Sequence, residues 1–95
     1  MDILLKVAKS EAFSSTGTAA SLTLGSFGIM KVVITVETAP IRFLVDGNTP
    51  TASNGHLVEP GDAIVLEGED ISKFQHIRTT GTSATGWATF YERRD

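Results

Sequence analysis

Cysteine is absent from this sequence of 95 residues. Disulfide frameworks, thiolate nucleophiles and Cys-ligated zinc are therefore excluded, and the redox compartment is left open. Long apolar runs are missing too. Even Val32 to Val36 is interrupted by Thr35, whereas spanning a bilayer takes about 20 apolar residues. Bases are scarce near the start, where Asp2 stands at a position a signal peptide fills with Lys or Arg, so no leader is expected. Excess positive charge is lacking: Lys and Arg number 8 against 11 Asp and Glu, a net charge of −3. That balance argues against nucleic acid and against an anionic membrane as partner, because both demand a dense positive field. Charged residues reach only 20% while apolar residues reach 41%, which places the chain among folded proteins. At this length one domain is expected.

What is present reads as strands and turns. Nine glycines and three prolines punctuate short stretches rich in Val, Ile, Thr and Phe. The clearest strand is Ile29 to Glu37. Met30, Val32, Ile34 and Val36 share one face, and Lys31, Thr35 and Glu37 the other. Val33 breaks the polar face. Ile41 to Asp46 repeats the pattern, with Ile41, Phe43 and Val45 inward and Pro40 at the position where a missing N–H costs least. Further strands are expected at Ser21 to Leu24, His56 to Val58, Ala63 to Glu67, Phe74 to Arg78 and Trp87 to Glu92.

Turn signals separate them. Asp46-Gly47 and Asn54-Gly55 tolerate positive φ. Glu59-Pro60-Gly61-Asp62 has Pro and Gly at the centre of a type II turn. Thr49 to Ser53 reads as an irregular loop, Gly68 to Asp70 as a strand end, and Gly81 to Gly86 as a connector. Ile3 to Lys9 reads as a strand, with a short helix reaching Phe13 as the competing reading. Ser14 to Ser21 reads as a loop or tether. The expected organisation is an N-terminal strand or arm with a flexible Ser/Thr/Gly/Ala segment over 1–24, then a single body over 25–95. Seven or eight short strands predict an all-β fold, an antiparallel β-sandwich or jelly roll.

Chemistry is thin. His56 and His76 are the only histidines, with no third ligand at zinc-like spacing; the plain reading is one loop and one strand-surface histidine. Ser53, His56 and Asp46 or Asp62 are close in sequence, yet no nucleophile-elbow glycine pattern surrounds Ser53. Glu59, Asp62, Glu67, Glu69 and Asp70 read as solvated loop acids rather than a glycosidase pair. Asp46-Gly47-Asn48 and Glu69-Asp70 offer oxygens to calcium without an ordered ligand loop. No phosphate-binding glycine loop is present. No catalytic, metal or cofactor site is assigned, and no enzyme is expected.

Surplus apolar surface is the stronger signal. Val33, Leu44, Val65 and Phe90 each fall opposite a first apolar set, as expected of a protein that buries a second strand face against a partner. With Ile3, Leu5, Val7 and Phe13 from the N-terminal segment they form the candidate interface. Thr49, Pro50, Thr51, Asn54 and His56 form a candidate contact loop. Trp87 and Tyr91 share a strand face that could stack on a sugar. With only seven aromatic residues (five Phe, one Tyr, one Trp), both are expected in the core.

One order of residues is distinctive: Ile41-Arg42-Phe43, Asp46-Gly47, Thr49-Pro50-Thr51-Ala52, Gly55-His56, then Pro60-Gly61-Asp62. With Phe74-Gln75-His76-Ile77-Arg78 and the ending Ala88 to Arg93, it resembles a group of small all-β proteins encoded among the virion structural genes of tailed bacteriophages. The resemblance covers about Ile29 to Arg93; the N-terminal third lies outside it. It implies a capsid decoration (cement) or other accessory virion role. The partner it implies is the major capsid protein or another virion protein. The location it implies is the capsid surface, after synthesis in the host cytoplasm. By analogy with other decoration proteins it implies a homo-oligomer, with a trimer as the guess. It brings no catalytic residues. The alternatives are a glycan-binding fibre or adhesion module, which requires an exposed Trp87 or Tyr91, and a tail or neck adaptor.

Overall fold

Alternation of apolar and polar residues builds strands, and in this chain the strands close into two sheets. The computed structural model describes residues 4–24 and 28–93. The elements are β1 (Leu5–Ser15), β2 (Ala20–Ser21), β3 (Ile29–Val36), β4 (Ile41–Leu44), β5 (His56–Val58), β6 (Ala63–Glu67), α1 (Glu69–Lys73), β7 (Gln75–Arg78) and β8 (Ala84–Arg93). One sheet has the order β1-β8-β3-β6, and the other β2-β7-β4-β5. Within them β1 pairs with β8, β2 with β7, β3 with β6 and β4 with β5, each antiparallel. Those four pairs are the rungs of one long hairpin rolled onto itself, which is the wiring of a jelly roll.

The core lies between the sheets. Val32, Ile34 and Val36 of β3 are buried, as their period-two spacing dictates, and meet Ile41 from β4 and Ile64 and Leu66 from β6. Full burial of each such side chain contributes roughly 1.5–3 kcal/mol. The turn joining β5 to β6 follows its sequence: Gly61 has φ 98 and Asp62 N–H donates to Glu59 O at 3.0 Å, the geometry of a type II turn.

Several expectations need correction. Segment 5–15 is no separate arm. It pairs with β8 along its length and sends Phe13 and Ser15 into the core. β2 then joins the other sheet through β7, so the boundary expected at residue 24 divides elements of one sandwich. A short helix, α1, stands where a strand end was expected; it buries Ile71 in the core, and five residues are too few to show helical periodicity. β8 begins at Ala84, not Trp87.

Gly86 explains that last difference. It lies inside β8 opposite Val36, and a Cβ there would collide with the Thr35 carbonyl oxygen. The glycine marks a close backbone approach within a strand rather than a turn.

Phe90 and Phe13 are core residues, not interface residues. On β8 the buried face is Ala84, Gly86, Ala88 and Phe90, and the outer face is Thr85, Trp87, Thr89 and Tyr91. Trp87 is therefore not in the core. β8 is a central strand with β1 and β3 on either side. Its inner face must admit side chains from both sheets, which favours the set with small residues around one Phe.

Candidate functional site

The strand registers assemble one unusual surface, the outer face of the β1-β8-β3-β6 sheet. Ser10 stands opposite Thr89, Thr89 opposite Val33, and Val33 opposite Val65, giving one row across four strands. The next row runs Ala12, Trp87, Thr35, Ala63. Neither row holds a charge. Val7, Tyr91, Lys31 and Glu67 form the row at one end, where Lys31 Nζ lies 5.9 Å from the Tyr91 ring centre. A bulge at Ala8, between Val7 and Lys9, keeps Val7 on this outer face.

Three large apolar side chains stand open on this face: Val7 (56% exposed), Val65 (54%) and Trp87 (54%). Two pairs of hydroxyls at this face satisfy each other. Ser10 Oγ and Thr89 Oγ1 are 3.0 Å apart, as are Thr38 Oγ1 and Thr85 Oγ1. Paired hydroxyls need water less, so the face is easier to desolvate than its composition suggests.

Of the candidate interface, Val7, Val33 and Val65 meet on this face. Leu5 begins β1 at its edge, half-buried. Leu44 lies on the other sheet, in register with Gln75 of β7. Phe13 and Phe90 are interior, and Ile3 lies outside the described residues. Sequence reasoning expected Trp87 in the core because the chain has so few aromatic residues to fill one. The signal was its companions, since Thr85 and Thr89 share its face.

The candidate contact loop is a built structure. Thr51 and Asn54 exchange backbone hydrogen bonds of 3.0 and 3.3 Å, and Thr51 Oγ1 accepts from the N–H groups of Ser53 and Asn54. Arg42 ties it to β4: Nε donates to Ala52 O at 3.1 Å and Nη1 to Gly55 O at 2.9 Å. Gly55 has φ 128 and abuts the Phe43 carbonyl, so only glycine fits there. Thr49, Thr51, Asn54 and His56 are exposed and Pro50 is buried. The His56 ring packs against Phe43, centroids 5.2 Å apart. Arg42 as the loop's anchor carried no sequence signal.

His76 is not a surface histidine. It is buried between Phe13 and Phe74, with ring centroids 4.6 and 5.5 Å away, and its Nδ1 lies 2.8 Å from Ser15 Oγ. Burial pushes its pKa down to about 4, so it is a neutral core residue at pH 7. Asp46 is occupied locally. Its carboxylate accepts from Asn48 N at 3.0 Å and from Asn48 Nδ2 at 3.1 Å. The Asn48 backbone hydrogen bond leads the causes that lower its pKa. Among the described residues no hydrogen bond joins Ser53, His56 and an acid, and no three His, Asp or Glu converge as metal ligands.

No family model matches the chain, and no curated protein or solved structure matches it significantly.

Proposed function

We propose that the chain is a non-enzymatic accessory protein of a phage virion. In this reading it decorates the capsid by laying the outer face of the β1-β8-β3-β6 sheet on the major capsid protein. One observation carries the reading: two uncharged rows crossing four strands, with Trp87, Val65 and Val7 exposed on that face. Large apolar side chains left exposed on one sheet face point to an interaction site, and an exposed Trp is an apt anchor for an interface. The resemblance over Ile29 to Arg93 supplies the partner class. Many copies on one particle would compensate for a modest affinity per copy.

Co-sedimentation with capsids of the encoding phage tests it. Wild-type protein should pellet with the particles, and Trp87→Lys should remain in the supernatant with its circular dichroism unchanged. Pelleting of Trp87→Lys at wild-type level would remove this face from the account.

A glycan-binding module is the second reading, favoured by the exposure of Trp87 beside exposed Thr35, in register with it. Indole faces stack on sugar rings while neighbouring hydroxyls hydrogen-bond them. Binding to a glycan array that Trp87→Ala abolishes, with no binding to capsids, would favour it over decoration.

A further inference from the structure

On the open side of the sandwich, β5 and β6 face each other as the last strands of their sheets. Between them lies a groove of about 360 Å3 lined by Phe43, Leu57 and Val58 on one side and by Asp62, Ala63 and Ile64 on the other. The turn Glu59–Asp62 closes one end, since it links the two strands.

We propose that β6 captures an extended partner polypeptide segment as an added strand. The segment carries Lys or Arg at its ends and drops an apolar side chain into the groove. Main-chain pairing would supply the affinity and the groove the selectivity.

Backbone geometry supports the edge. Among the described residues, β6 is paired on one side only, to β3. Val36 N donates to Asp62 O at 3.1 Å, and Ile64 and Leu66 continue that even-numbered series opposite Ile34 and Val32. Antiparallel ladders alternate, so the N–H and C=O groups of Ala63, Val65 and Glu67 point away from β3 toward the vacant side.

The two edges of this sheet are guarded differently. β1 carries Lys6, Lys9 and the bulge at Ala8, the usual devices against edge pairing. β6 reads Ala-Ile-Val-Leu-Glu, with no Lys, Pro or bulge within it.

Charge selects the occupant. Exposed Glu59 and Asp62 stand at one end of β6, and exposed Glu67, Glu69 and Asp70 at the other. Among the described residues, the cations paired or in register with these acids are Lys31, opposite Glu67, and Lys73, 3.7 Å from Glu69. Five acids against two bases favour a segment with positive ends. A second copy presenting the same edge antiparallel would set acid against acid, which costs free energy.

The test uses the full chain and a fluorescent synthetic peptide of alternating Val and Thr with a lysine pair at each end. Anisotropy should show saturable binding that weakens as salt is raised. A glutamate-ended twin should bind at least about tenfold more weakly. A lysine-ended twin N-methylated along its pairing edge should not bind at all. Val65→Pro removes an outward N–H without touching the bonds to β3 and should abolish binding with the amide spectrum otherwise intact. If that variant does not fold, the N-methylated peptide carries the same test. Equal binding of the lysine- and glutamate-ended peptides, or of the N-methylated one, would overturn the proposal. So would a β6-dependent dimer by sedimentation, which would assign the edge to a second copy.

Discussion

Acid should loosen this protein earlier than its carboxylates alone would require, and His76 is the reason. In the unfolded chain a histidine titrates near its ordinary value of about 6.5. In the folded chain burial holds it down to about 4. Between those values the unfolded state binds the extra proton, so stability must fall as pH falls. The contribution is intact above the unfolded value, is lost through the window from about 6.5 to about 4, and levels off below. Two and a half units correspond to about 3 kcal/mol in all, of which about 2 kcal/mol should be gone by pH 5. Most carboxylates are still ionised at that pH. For a domain with a marginal stability of about 5–15 kcal/mol this is a large share.

The assay is urea denaturation at intervals between pH 7.5 and 5, wild type against a double variant, His76→Phe with Ser15→Ala. Both positions change together because Ser15 Oγ, 2.8 Å from Nδ1 in a buried site, would otherwise lose its partner. The wild type should lose about 2 kcal/mol across the window, and the double variant should stay nearly level. Equal slopes would refute the reasoning. So would a His76 ring that titrates by NMR near 6.5 in the folded protein.

Other outcomes follow from the same geometry. Gly86→Ala should cost several kcal/mol or prevent folding, because its Cβ would collide with the Thr35 carbonyl, inside a packed pair of strands. Thermal unfolding checks this, and a loss below about 1 kcal/mol would contradict the close approach. Arg42→Ala should free the loop from Thr49 to Gly55 while leaving the sandwich intact. Hydrogen exchange should then speed at Thr51 and Asn54, whose N–H groups close the loop, and stay slow in β3.

Local pattern carried the fold a long way. Alternation in Ile29 to Val36 and Ile41 to Leu44 located the buried faces, because strand side chains must point to opposite sides. Pro60-Gly61 located its turn, because only glycine takes the required positive φ cheaply. The number of short strands and the spacing of turns sufficed for an all-β sandwich. Such features are legible since each depends on residues close together in the chain.

Other features depend on partners far along the chain, and only the tertiary structure decided them. Both faces of β8 carry apolar residues, so Trp87 and Phe90 compete for the interior. The result turns on what β1, β3 and the opposite sheet leave room for. His76 became a core residue because Phe13 and Ser15 arrive beside it from β1. The outer face exists only because the registers of β1, β8, β3 and β6 align Ala12, Trp87, Thr35 and Ala63. A period-two sequence says that a strand has two sides; which side is covered is set by packing density and by the strands it is laid against.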